Sequence, residues 1–155
     1  MVQSVVELIV EAARRMFWNI FGLFAQLFDS PQRRQRRSAE AFDRYTNGKQ
    51  VSLPASISGF HSVTSDWVRG SLEVSSGSVV WHSSVRSTSL GAVFRPDNFI
   101  AAGIRSVKDR ESWSVDANCL VLMGELAGRR VDLAVQSDDV VILLDALNAN
   151  HLLND

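Results

Sequence analysis

Few residues in this chain have the types needed for chemistry: three histidines (His61, His82 and His151), one cysteine (Cys119) and the acidic pair Asp138-Asp139. The histidines are scattered, and none sits in the His-x-x-x-His or His-x-x-Glu-His spacing that puts two ligands on one helix face. A metal site is therefore not expected. His82 follows Trp81 in a strand-like run, where an imidazole at the sheet surface is the ordinary reading. Cys119 opens an apolar stretch and reads as a small buried hydrophobe rather than a nucleophile. The serines are many, but no Gly-x-Ser-x-Gly elbow occurs, and there is no Gly-x-Gly-x-x-Gly or Walker-type loop. Asp138 and Asp139 precede a helical apolar pattern, where the positive end of the helix dipole accounts for them. No catalytic residue and no cofactor is expected, so the chain reads as a non-enzyme.

The elements that could carry a function lie elsewhere, and charge distribution points to them. The chain of 155 residues is nearly neutral, at −1, which argues against a nucleic-acid binder working through bulk positive charge. Residues 1–50 nevertheless carry eight basic and five acidic side chains, so that segment is +3 and the remainder −4. With a single cysteine, an intrachain disulfide and a thiolate metal cage are both excluded, and a reducing, cytoplasmic setting is expected. Glu7, Glu11, Arg14 and Arg15 interrupt what would be the apolar core of a secretory leader, so a cleavable signal peptide is not expected.

From Val2 to Phe28 no proline intervenes, and the spacing predicts a long helix. At 100° per residue, Val2, Val5, Val6, Ile9, Ala13, Met16, Phe17, Ile20, Leu23, Phe24 and Leu27 fall on one side, with Glu7, Glu11, Arg15, Asn19 and Gln26 opposite. The uncharged stretch 16–28 is shorter than the ~20 residues a bilayer span needs, so the helix is expected to lie in an interface rather than cross it. Met16, Phe17, Phe21, Phe24 and Phe28 supply apolar bodies, and Trp18 is a ring of the type enriched at headgroup depth. Asp29-Ser30-Pro31 ends this helix, and Arg33, Arg34, Arg36 and Arg37 follow on what reads as a linker. These ten side chains, from Met16 to Arg37, are the candidate contacts with an anionic membrane surface. A protein partner is the alternative, as a groove for the helix or as a second copy in an oligomer. The arginine run lacks interleaved aromatics, so no nucleic-acid partner is expected.

The organisation read from the chain is an anchor or docking helix over 1–28, a basic linker over 29–66, and a folded domain over 67–155. Ser38 to Tyr45 predicts a short helix capped by Ser38, set within that linker. Trp67 to Val74 and Val79 to Trp81 read as a hairpin turning at Ser75-Ser76-Gly77. Ser87–Phe94 and Phe99–Val107 read as strands around the turn Arg95-Pro96-Asp97-Asn98, and Asn118–Leu126 pairs with Arg130–Gln136 in a second hairpin. A closing helix is expected from an N-cap at Ser137, with Val140, Leu143, Leu144 and Leu147 on its apolar face and Asn148 to Asn150 ending it. The fold class is α+β: a small bent barrel or sandwich plugged by its C-terminal helix. Trp67, Trp81 and Trp113 are expected to fill or cover its core.

That order of elements is similar to the PH-domain superfold. Over residues 66–150 the chain resembles an uncharacterised family of actinobacterial, membrane-anchored PH-like proteins. The resemblance rests on Trp67, Gly70, Leu72-Glu-Val-Ser-Ser-Gly77, Val80-Trp81, Cys119-Leu-Val-Leu-Met123, Gly128-Arg129, Asp132-Leu-Ala-Val135 and the helix from Ser137 to Leu147. It implies a PH-like domain held at the cytoplasmic face of the cell membrane and supplies no reaction. Family members begin with a true spanning helix, whereas the helix here carries internal charges. Arg69 and Arg86 are too sparse for the phosphoinositide headgroup site of some PH domains.

Overall fold

The computed structural model describes residues 5–7, 9–15, 30–59, 67–84, 92–112 and 114–154. The chain divides into two compact units, Met1–Arg37 and Ser38–Asp155.

In the first unit, residues 5–7 and 9–15 are helical, inside the range where the apolar periodicity predicts helix. Glu11 and Arg15 form an i,i+4 ion pair at 3.7 Å, with both side chains largely in solvent. Such a pair adds only a few tenths of a kcal/mol, ~0.3–0.5. The rest of the predicted 2–28 helix lies outside the described residues apart from these.

The segment read as a basic linker with a short helix is more ordered than that. A single helix, α1, runs Pro31–Thr46. Pro31 starts it rather than merely ending what precedes, because proline's fixed φ suits a first helical position whose N–H needs no partner. Ser30 is the cap: its Oγ accepts the Arg33 N–H at 3.3 Å. Ser38, expected as the cap of a shorter helix, sits mid-helix and is buried.

The second unit is α+β: a curled, half-barrel antiparallel sheet of seven strands and a C-terminal helix. The strands are β1 Val51–Ser58, β2 Val68–Ser75, β3 Ser78–Ser83, β4 Val93–Phe94, β5 Phe99–Ser106, β6 Cys119–Leu126 and β7 Arg129–Gln136. Their order across the sheet is β4-β3-β2-β1-β7-β6-β5. Two meanders, β1 to β4 and β5 to β7, are therefore joined where β1 pairs with β7, Ala55 opposite Val135 and Ile57 opposite Leu133. The hairpins expected at Ser76-Gly77 and Gly128 are present, with φ of 76° and 78° at the two glycines.

Strand β1 is the element the linker reading passed over. Its residues alternate, Val51, Leu53, Ala55 and Ile57 inward and Ser52, Pro54, Ser56 and Ser58 outward, but serine and proline disguise the strand. Pro54 lies one residue before the β7 ladder begins, where β1 is bonded to β2 alone and a residue without an N–H is easier to accommodate.

The inner face is one cluster that includes Leu53, Ile57, Leu72, Val74, Trp81, Phe94, Leu122 and Leu133. The closing helix, α2 Val140–Ala146, packs on β2 and β3 and adds Val140, Leu143, Leu144 and Leu147, as its spacing predicts, together with Ile142 and Ala146. A 3-10 turn, Ser137–Asp139, precedes α2, and neither Ser137 nor Asp139 caps it through a side-chain hydrogen bond. Two glycines let rings lie flat on strands. A Cβ at Gly70 would overlap the His82 carbonyl oxygen and the Trp81 indole, and one at Gly124 would overlap the Phe99 ring.

Candidate functional site

The side chains of the first unit's helix show what the apolar stripe does where it can be seen. Val5, Val6, Ile9 and Val10 are 55%, 53%, 62% and 58% exposed, whereas a valine in the sheet such as Val74 or Val79 is at 0%. Val5, Val6, Ile9 and Val10 fall at i, i+1, i+4 and i+5, which is one contiguous face of a helix. The candidate contacts Met16, Phe17, Trp18, Phe21, Phe24 and Phe28 lie outside the described residues.

Arg33, Arg34, Arg36 and Arg37 are placed on the first two turns of α1, not on a linker; Arg34 is half-buried and the other three are exposed. The first turn of α1 holds no acidic residue. Cations in the first turn of a helix oppose its dipole by ~0.3–1 kcal/mol each, which applies to Arg33 and Arg34. An anion beside that end would be favoured by both the side chains and the dipole.

The outer sheet face of the second unit carries a polar clasp that sequence reading missed. Arg105 on β5 points outward beside β6, where it is paired with Val121. It grips Glu111 with both ends of its guanidinium, Nη1 donating to Oε1 at 2.6 Å and Nη2 to Oε2 at 2.9 Å. The Trp67 indole N–H donates to Glu111 Oε2 at 3.0 Å, and the Lys108 backbone N–H donates to Oε1 at 3.0 Å. Asp132 on β7 lies 3.5 Å from both Arg105 Nη2 and Arg130 Nε, close enough for charge attraction but too far for a strong hydrogen bond. The hydrogen bond from Arg105, helped by the Lys108 and Trp67 donors, holds the Glu111 carboxyl down to about 2 against the opposing effect of burial. Hydrogen bonding to Glu111 likewise raises the Arg105 guanidinium. A carboxylate so fully supplied with donors neither gives nor takes a proton near neutrality, and the cluster's chemistry is that of a fastening. Arg105 and Glu111 carry no periodicity or motif between them, so no sequence signal distinguishes Glu111 from other loop carboxylates.

The residues first weighed for chemistry are not brought together. His82 is on β3 beside Glu73, at 3.1 Å, and His151 is exposed on the 3-10 turn Asn150–Leu153. His61 and Trp113 lie outside the described residues. Trp81 is a core ring at 1% exposure, while Trp67 covers the outer face. Asp139 is buried and Asp138 is exposed, so they do not form a paired carboxylate site. Among the described residues no cluster of His, Cys, Asp and Glu could hold a metal ion, and no helix is long and apolar enough to cross a membrane. The chain matches no protein-family model and no curated protein.

Proposed function

We propose that this chain is a non-catalytic, membrane-associated adaptor: its first unit lies on an anionic membrane surface, and its second is a PH-like domain that presents binding surface to a protein or a lipid. The observation that carries the reading is the row Val5, Val6, Ile9 and Val10, four aliphatic side chains of one helix face each more than half in water. Half-burying such a side chain is worth roughly 1 kcal/mol, and each arginine near an anionic leaflet adds about the same. Neither contribution anchors firmly alone, and the two together fit the arrangement of the first unit, an apolar face followed by Arg33, Arg34, Arg36 and Arg37. The PH-like reading is supported by the strand order β4-β3-β2-β1-β7-β6-β5 and by the C-terminal helix seated against the inner face. Strand β5 pairs with β6 and ends the sheet among the described residues, so its outer edge is a place where an extended segment of a partner could add. The cytoplasmic membrane face is the location this reading assigns.

Co-flotation with vesicles tests it. The full chain is expected to float with vesicles containing an anionic phospholipid and far less with neutral ones. Ile9→Ser combined with Val6→Ser, or glutamine at the four arginines, is expected to lower the bound fraction by about tenfold, in line with 1–2 kcal/mol. Absence of flotation, together with a stable oligomer in detergent-free buffer that Val6→Ser/Ile9→Ser dissociates, would replace lipid by a protein groove or a second copy as the occupant of that face.

A further inference from the structure

Between β5 and β6 the described residues 107–112 and 114–118 lie over the outer face of the sheet, where Val107 and Val115 pack with Val121 and Ala134. Their backbone hydrogen bonds close within the segment: Glu111 N to Lys108 O, Ser112 N to Asp109 O, Ser114 N to Glu111 O and Val115 N to Glu111 O. The join to β7 is at the segment's last residue, where the Ser137 N–H donates to Asn118 O at 3.1 Å. Across the face itself the attachment is made by side chains. Glu111 is fastened to Arg105 and Trp67, and Val115, 3% exposed, is pressed onto Val121 and Ala134. Cys119, Met123, Val107 and Trp67 pack around that small second cluster. The clasp is also imperfect, since Arg105 Nε is buried without a hydrogen-bond partner among the described residues, which reduces its net value.

We infer that residues 107–118 form a strap that opens as a unit while the sheet stays folded, with the Glu111–Arg105 pair as its latch and the outer face of β6 and β7 as what it uncovers. The physical basis is that the strap is tied down by side-chain contacts, those of Glu111 to Arg105 and Trp67 and of Val115 to Val121 and Ala134, and by the Asn118–Ser137 bond at its end, whereas β6 and β7 cannot separate without losing a ladder of eight residue pairs. Opening exposes Val121, Met123 and Ala134, apolar side chains in a row on one face, and frees the Cys119 thiol from the cluster that half-covers it. This inference stands apart from the anchoring reading, because it concerns the second unit alone.

Hydrogen exchange read by mass spectrometry on the full chain tests it, with alkylation of Cys119 as a second reporter. In the wild type, amides of 107–118 are expected to exchange through an opening with little denaturant dependence, while those of β6 and β7 exchange only with global unfolding. Glu111→Gln, which keeps an oxygen for the Trp67 N–H and removes the charge, is expected to speed strap exchange and Cys119 alkylation about tenfold, while β6 and β7 still exchange only with the steep denaturant slope of global unfolding. Val115→Ala is expected to act in the same direction, and Glu73→Gln, on another part of the outer face, is expected to change neither. The inference is overturned if strap amides share the denaturant slope of β6 and β7, or if Glu111→Gln leaves both readouts unchanged while the protein remains folded.

Discussion

The first unit and the second are built from the same aliphatic residues, and they do opposite things with them. Val5, Val6, Ile9 and Val10 stand more than half exposed on a helix, whereas Val51, Val74, Val79 and Val131 are at 4% or less in a sheet. What separates them is the presence of another layer. The sheet curls so that its inner side chains meet one another and α2, and each valine there faces apolar neighbours. The valines and isoleucine of the first unit have sorted themselves onto one face by helical geometry, yet that face remains in water. Amphipathic spacing therefore specifies a surface to be covered without specifying what covers it.

Core substitution gives the largest contrast between the two. Leu53→Ala and Trp81→Ala are expected to destabilise the second unit by about 3–5 kcal/mol in urea unfolding, while Ile9→Ser should change its stability by less than about 0.5 kcal/mol. Equal losses at both places would erase the distinction. Next in size is Gly124→Ala, where the new Cβ must displace the Phe99 ring, itself in a T-shaped contact with Phe94 at 5.4 Å. A loss of about 2–3 kcal/mol is expected, with the lowered midpoint measured by circular dichroism.

Smaller effects come from polar fastenings, and these sharpen the comparison by separating the sheet's two faces. Glu111→Gln is expected to cost about 1–2 kcal/mol at neutral pH, since the pair is bidentate and partly shielded. The sign of its pH dependence follows from the lowered carboxyl. Stability from Glu111 is complete above its unfolded value near 4.5 and is lost as pH falls through about 2. The wild type should therefore lose more stability than Glu111→Gln over that acid window, as followed by chemical denaturation at several pH values. Smallest is the alkaline test at Tyr45. Its hydroxyl donates to Asp145 Oδ2 at 2.7 Å, joining α1 to α2, and burial first and this bond second raise its ionisation well above the ordinary value of 10. Stability from the neutral phenol is present below pH 10 and is lost as pH rises towards the raised value. Because Tyr45 is the chain's single tyrosine, ultraviolet titration reads it alone, and Asp145→Asn is expected to bring its ionisation to a lower pH.

How much of this was legible beforehand varies with how strongly each pattern is marked. The hairpins at Gly77 and Gly128 and the strand Phe99–Ser106 announce themselves through alternation bounded by turn residues. The face of α2 does so through its 3.6-residue spacing. Strand β1 alternates as cleanly, but its outward residues are serines and a proline, which individually signal a loop. Ser38 resembles a cap in isolation, and only a helix already begun at Pro31 makes it an interior residue. Of the candidate site, the apolar row and the arginines could be read from spacing. The clasp could not, because Trp67 and Asp132 lie far along the chain from Arg105 and Glu111, and no motif links those two.

The amino-acid order by itself determined the periodicities, and with them which residues share a face, where the chain turns and where positive charge gathers. These are local properties, fixed by the pitch of a helix and the pleat of a strand. Tertiary structure alone decided that Val51–Ser58 joins the two meanders and that Trp67 and Asp132 meet the Arg105–Glu111 pair. Each of these depends on partners distant along the sequence, whose attraction acts only once the sheet has curled and brought them within hydrogen-bond reach.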